Sequence, residues 1–129
     1  MKLATCTDLH AHAQQLGVRL RRHTGGPKGI YCHTLRTIST RRGMSIQQYR
    51  STLAHELGHA VYGHRRTTAR AELEADAWAA RQLIDPAEWR YLTTIHADLL
   101  TVAAELQVLP RIAAVYAKHL ARHPAVRGR

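Results

Sequence analysis

Leu53-Ala54-His55-Glu56-Leu57-Gly58-His59 is the stretch on which the reading of this chain turns. Two histidines four residues apart on a helix share one face, one turn apart, so both imidazoles can reach a single ion. Glu56 is rotated by roughly a third of a turn from His55, which aims it at a water bound to the ion rather than at the ion itself. The chain holds 10 histidines, so a chance pair at this spacing carries some weight. A carboxylate set among Leu, Ala and Gly is harder to dismiss, because buried acids are uncommon unless paired or metal-bound. The spacing therefore predicts a metal site in which His55 and His59 are ligands and Glu56 is a general base.

The flanking residues frame this stretch as a helix. Ser45 and Gln48 form a capping box, and Met44 with Tyr49 suits the hydrophobic staple around it. Ile46, Tyr49, Leu53, Leu57, Ala60 and Val61 recur close to the helical period, and Gly63 supplies an end.

Upstream, residues 5–16 read as a helix capped by Thr5 or Thr7 and closed by Gly17. His10 and His12 point different ways on it and read as surface residues. Residues 18–22 alternate as a strand, 24–29 carry turn chemistry, and residues 30–33 and 35–40 read as two more strands. The expected product is a three-stranded antiparallel meander whose apolar face needs a helix to cover it. Downstream, a second helix is expected over about 68–84. Asp85-Pro86-Ala87-Glu88 is a helix start. The pattern stays helical to Arg122, with a break near 93–98 and a new start at Pro110, and residues 123–129 read as a frayed tail.

Catalytic zinc takes three protein ligands. The downstream candidates are His64, Glu72, Glu74 and Asp76. A third histidine six places after His59 would complete the metzincin pattern, but Arg65 stands there, and His64 reads as a surface residue beyond the helix end. Glu72 and Asp76 share a helical face, so one can bind the ion while the other accepts a hydrogen bond from a ligand imidazole. Glu74 lies about 200° away. Glu72 is preferred as the ligand and Asp76 as its neighbour's partner. Two histidines and one carboxylate suit Zn2+ best among divalent metals.

The chain has 129 residues, 45% of them apolar, and no apolar run long enough to span a membrane. One domain, 1–129, is expected, with residues 1–63 carrying helix, sheet and motif helix and residues 64–129 a helical part that brings the third ligand. Met1 to Cys6 shows no secretion signal, and Cys6 and Cys32 form no metal pair, so a cytoplasmic setting with reduced thiols is expected. Residues 1–70 hold 12 basic and 2 acidic residues, a net +10, whereas residues 71–129 hold 7 of each. Such an excess attracts nucleic acid or an acidic partner. Alternation of Arg19, Arg21 and Arg22 with Val18 and Leu20 favours the plainer reading, a solvated strand face.

Leu-Ala-His-Glu-Leu-Gly-His-Ala-Val-x-Gly-His over residues 53–64, followed by Glu-x-Glu-Ala-Asp-Ala-Trp-Ala-Ala-Arg-x-Leu-Ile over 72–84, resembles the ImmA/IrrE family of metallo-endopeptidases. The short basic chain looks most like the members from actinobacterial phages and mobile elements. The resemblance implies an α+β, gluzincin-like fold, with the small sheet packed on the motif helix and an edge strand beside the cleft. By position it places zinc on His55, His59 and Glu72, with Glu56 as general base. It also implies cleavage of a helix-turn-helix repressor, with a substrate strand added to the sheet edge within residues 29–40. Tyr31, His33 and the sheet arginines are candidates to stabilise the oxyanion. The rival class is a zinc-containing regulator that binds a repressor or DNA without cutting. Residues 102–115 have helix-turn-helix spacing, but the second helix of that pair offers only Arg111 and Lys118, too few for a recognition helix.

Overall fold

The computed structural model describes residues 5–123. The order of elements is α1 (Cys6–Gln15), β1 (Arg19–His23), β2 (Gly29–Cys32), β3 (Thr37–Arg41), α2 (Ile46–Tyr62), α3 (Ala69–Leu83), α4 (Pro86–Ile95), α5 (Leu99–Leu106) and α6 (Pro110–Arg122). This is the expected α+β arrangement, a small sheet followed by a helical half. The first residues, read above for a secretion signal, and most of the expected tail lie outside the described residues.

Local chemistry sets the helix ends. Thr5 with Asp8 and Ser45 with Gln48 both close capping boxes, so two amides at each start are satisfied within the first turn. Gly63 ends α2 in the left-handed conformation, φ 67°, which a side chain resists. Asp85 caps α4 with Pro86 in its first turn.

The sheet is mixed, not the antiparallel meander expected. Its order is β1-β3-β2, with β3 central, parallel to β1 and antiparallel to β2. Burial accounts for the difference. Ile38 and Thr40 of β3 are fully buried, whereas β1 is exposed along nearly its whole length and suits an edge. The 24–28 segment does not form a two-residue hairpin; it carries the chain past β3's position. His23 fastens it, with one ring nitrogen 2.6 Å from the Pro27 carbonyl and the other 2.7 Å from Ser39 Oγ. Turn residues announce that a chain reverses, not which neighbour the next strand takes.

Helix α2 runs under the sheet and through the core. Leu53, Ala54 and Leu57 are fully buried with Leu9, Ile38, Ile84, Val102, Val108, Ile112 and Tyr116. Its polar residues are used too. Arg50 Nη1 donates to the carbonyls of Leu106 and Gln107 at 2.8 and 2.9 Å, and Ser51 Oγ accepts from the Leu109 amide at 3.0 Å. These bonds tie the corner between α5 and α6, helices that meet at 107°, to the helix carrying the motif. No single helix among the described residues is long and apolar enough to cross a membrane. Replacing Arg50 by Ala removes both bonds and strands the buried Leu106 carbonyl. Chemical denaturation should show a loss of about 3 kcal/mol, since each hydrogen bond to a charged group contributes ~1.5–3 kcal/mol.

Candidate metal centre

Helix α3 lies against α2 at the motif's own glycine. A Cβ at Gly58 would stand 2.9 Å from both the Cα and the carbonyl oxygen of Ala75. The small residues Ala71, Ala75 and Ala79 line the buried face of α3, so the two helices approach closely. That approach carries Glu72, in the first turn of α3, up to the two histidines of α2. Glu72 Oε2 lies 2.6 Å from His59 Nε2 and 3.4 Å from His55 Nε2, and the two Nε2 atoms are 3.1 Å apart.

The other ring nitrogens are already committed. His55 Nδ1 is 2.7 Å from Asp76 Oδ1, and His59 Nδ1 is 2.9 Å from His64 Nδ1. His64 Nε2 in turn is 2.9 Å from Glu74 Oε1. A carboxylate only accepts, so the bonds to Asp76 and Glu74 put protons on His55 Nδ1 and His64 Nε2, and His59 Nδ1 then donates to His64 Nδ1. Both Nε2 atoms then present lone pairs to the oxygen of Glu72. Three electron-rich atoms converge, and Glu72 Oε2 is buried with no hydrogen-bond geometry towards any partner. A divalent cation would resolve this arrangement, and the donor set fits one.

Asp76 does more than meet His55. Arg111, from α6, donates Nε to both of its oxygens at 3.3 and 3.2 Å and Nη2 to Oδ1 at 3.2 Å. Burial works against the Asp76 charge, yet the bonds from His55 and Arg111 hold its carboxyl below the usual range. Burial likewise opposes the charge on His55, but the bond to Asp76 and the surrounding carboxylates raise it overall. Burial and the nearby His55 charge lower His59. Glu56 packs under Gly29 of β2, where a Cβ would come within 2.5 Å of Thr52 Cγ2 and 3.0 Å of Glu56 Cγ. Burial drives its carboxyl up to about 7.

A cleft of about 220 Å³ opens over the centre. Gly29, Ile30 and Tyr31 of β2 form one wall, residues 64–67 another, with Glu56, His59 and Glu72 at the base.

A peptidase family described as the IrrE N-terminal-like domain matches residues 13–117. The chain belongs to this family. No curated protein matches it. Its family is one of metallopeptidases, and the match spans the sheet, the motif helix and every helix that supplies a group to the centre.

His55, His59, Glu56, Glu72 and Asp76 therefore stand together in this IrrE-like domain. Glu74 is turned away from the convergence point and engages His64. His64 differs from the surface residue expected, because left-handed Gly63 folds the chain back and lays the ring against His59 and over Tyr62. That glycine, one residue before a histidine, was the available signal. Arg111 had none, being 35 residues from Asp76 on a helix read as core. Of the candidates Tyr31, His33 and the sheet arginines, Tyr31 alone lines the cleft. Its hydroxyl is 2.8 Å from His33 Nδ1 and accepts from Arg36 at 3.0 Å. Cys6 and Cys32 are free and take no part.

Gly58→Ala should push α3 off α2 and Glu72 away from the histidines. A loss of about 1–3 kcal/mol is expected from the overpacking, with metal content per chain falling in elemental analysis of the purified variant. Metal affinity should also fall with pH. Protons compete for the two imidazoles, first for His55 because its ring is the more basic, so titrations from pH 8 down to pH 6 should weaken binding by up to ~10-fold per unit for each proton displaced.

Proposed function

We propose that the chain is a zinc-dependent endopeptidase acting on a transcriptional repressor of a phage or mobile element. The observation that carries the peptidase reading is the convergence of His55, His59 and Glu72 beside a buried, basic-shifted Glu56, directly below a free strand edge. The repressor as substrate rests on the resemblance of residues 53–64 and 72–84 to ImmA/IrrE proteins.

β2 pairs with β3 on one side only, and its other edge faces the cleft. A substrate segment adding to that edge gains backbone hydrogen bonds whatever its side chains, and is laid across the centre. Gly29 lets this strand sit on the motif helix, so the substrate backbone passes close to Glu56. Zinc held by His55, His59 and Glu72 would polarise the scissile carbonyl and make a water acidic near neutral pH. Glu56 takes the proton of the attacking water and delivers it to the departing amine. A carboxyl whose buried site already favours the protonated form can hold that proton between the two steps. Asp76 and the His64–Glu74 pair keep the imidazoles turned with Nε2 towards the centre. Tyr31 is the candidate donor to the oxyanion.

The DNA-reading alternative loses support at α6. Ile112, Ala113, Tyr116 and Leu120 are buried, and Arg111 is bound to Asp76, which leaves Lys118 as the uncommitted cation within that helix's first nine residues.

Glu56→Gln removes the base and keeps the shape. Cleavage should fall by about 10²–10⁴-fold with metal content unchanged. The direct comparison is of protein N-termini in cells making either form. A new N-terminus inside a repressor, present only with the wild type, is expected; identical profiles in the two would point to a module that binds without cutting. Because Glu56 must be ionised to act, kcat/KM should rise with pH through an acid limb, placed below the metal-free value of about 7 by the charge of the bound cation.

A further inference from the structure

We propose that the open face of the sheet is a binding surface for the phosphate backbone of duplex DNA. Ile38 and Thr40 face α2, so strand alternation puts Thr37, Ser39 and Arg41 on the opposite face. Register then places Arg19 beside Thr37, Arg21 beside Ser39 and His23 beside Arg41, with Cys32 and Ile30 across the other ladder. Lys28, just before β2, is exposed at the same end. Arg19 and Arg21 are exposed, while Arg41 is partly covered and braced by a bond to the Gly26 carbonyl at 2.9 Å.

Alternation within β1 is explained by solvation alone. What it leaves unexplained is that no Asp or Glu occurs between Asp8 and Glu56, so the sheet and all its connections carry cations and no counter-charge. An ordinary solvated surface interleaves both signs. The ion pairs of Glu72, Glu74 and Asp76 lie on α2, the connection after it, α3 and α6, and none of them reaches the sheet.

The face also selects its partner. The arginine forks suit phosphate oxygens, while Thr37 Oγ1 donates to the Leu35 carbonyl and Ser39 Oγ pairs with His23, so the charged side chains carry the recognition. Tyr31 packs towards the core and the His23 ring is held between Ser39 and Pro27, so the face offers no free stacking platform for the unstacked bases of a single strand. Ile30 is the only large apolar side chain on it, which is too little for the anchor cluster of a protein interface. Contacts to the backbone with no groove-reading element imply binding without sequence preference.

The test is fluorescence anisotropy of the whole metal-loaded chain with two unrelated ~20-base-pair duplexes across a salt series. Both should bind alike. With four cations engaged, log K should fall against log salt with a slope of about −3 to −4, from ~0.9 per phosphate neutralised. Arg19→Ala with Arg21→Ala should flatten the slope by about 1.8, and Lys28→Gln alone, at the other edge, by about 0.9. Circular dichroism and metal content check that each variant is folded. No duplex binding at 50 mM salt, or an unchanged slope in folded variants, overturns the proposal. Equal affinity for poly-glutamate overturns it too, by assigning the face to an acidic protein.

Discussion

The close approach of α3 to α2 is the constraint on which the rest of this structure depends. Gly58 meets the backbone of Ala75 with no room for a methyl group. The contact is made possible by alanines on one helix and a glycine inside the other's motif. It sets Glu72 within 2.6 Å of His59 and Asp76 within 2.7 Å of His55. The first delivers a third donor, and the second fixes which nitrogen of His55 carries the proton. One packing decision thus produces both the donor set and its orientation.

Burying so many polar groups is costly unless each is satisfied, and the fold meets that cost from several directions. Asp76 receives Arg111 from α6, His59 leans on His64, and His64 on Glu74. Arg50 and Ser51 of the motif helix hold the corner that leads into α6, so the helix bearing Arg111 is anchored to the helix bearing His55. The helical half therefore supports the centre as well as adding to the core. Within the centre, Glu72 Oε2 is left without a hydrogen-bond partner at the point where the donors meet.

Much of this could be read from the chain because helices write their geometry locally. Ser45 with Gln48, Asp85 with Pro86, and Gly63 marked helix limits, and the 3.6-residue period put Glu72 and Asp76 on one face with Glu74 away from it. The sheet was legible as three strands but not in its order, since pairing depends on which strand α2 buries and not on the turns. The direction of His64 is not legible from helical spacing, because it follows from the left-handed Gly63. Arg111 was invisible, because its role arises only when α6 packs beside α3.

The most direct test of this account is crystallography of the zinc-soaked protein with anomalous data collected across the zinc edge. The account predicts one strong peak enclosed by His55 Nε2, His59 Nε2 and Glu72, with Asp76 still on His55 Nδ1 and Glu74 still on His64. A peak bound by Glu74 in place of Glu72, or zinc held elsewhere with the three donors left apart, would contradict it.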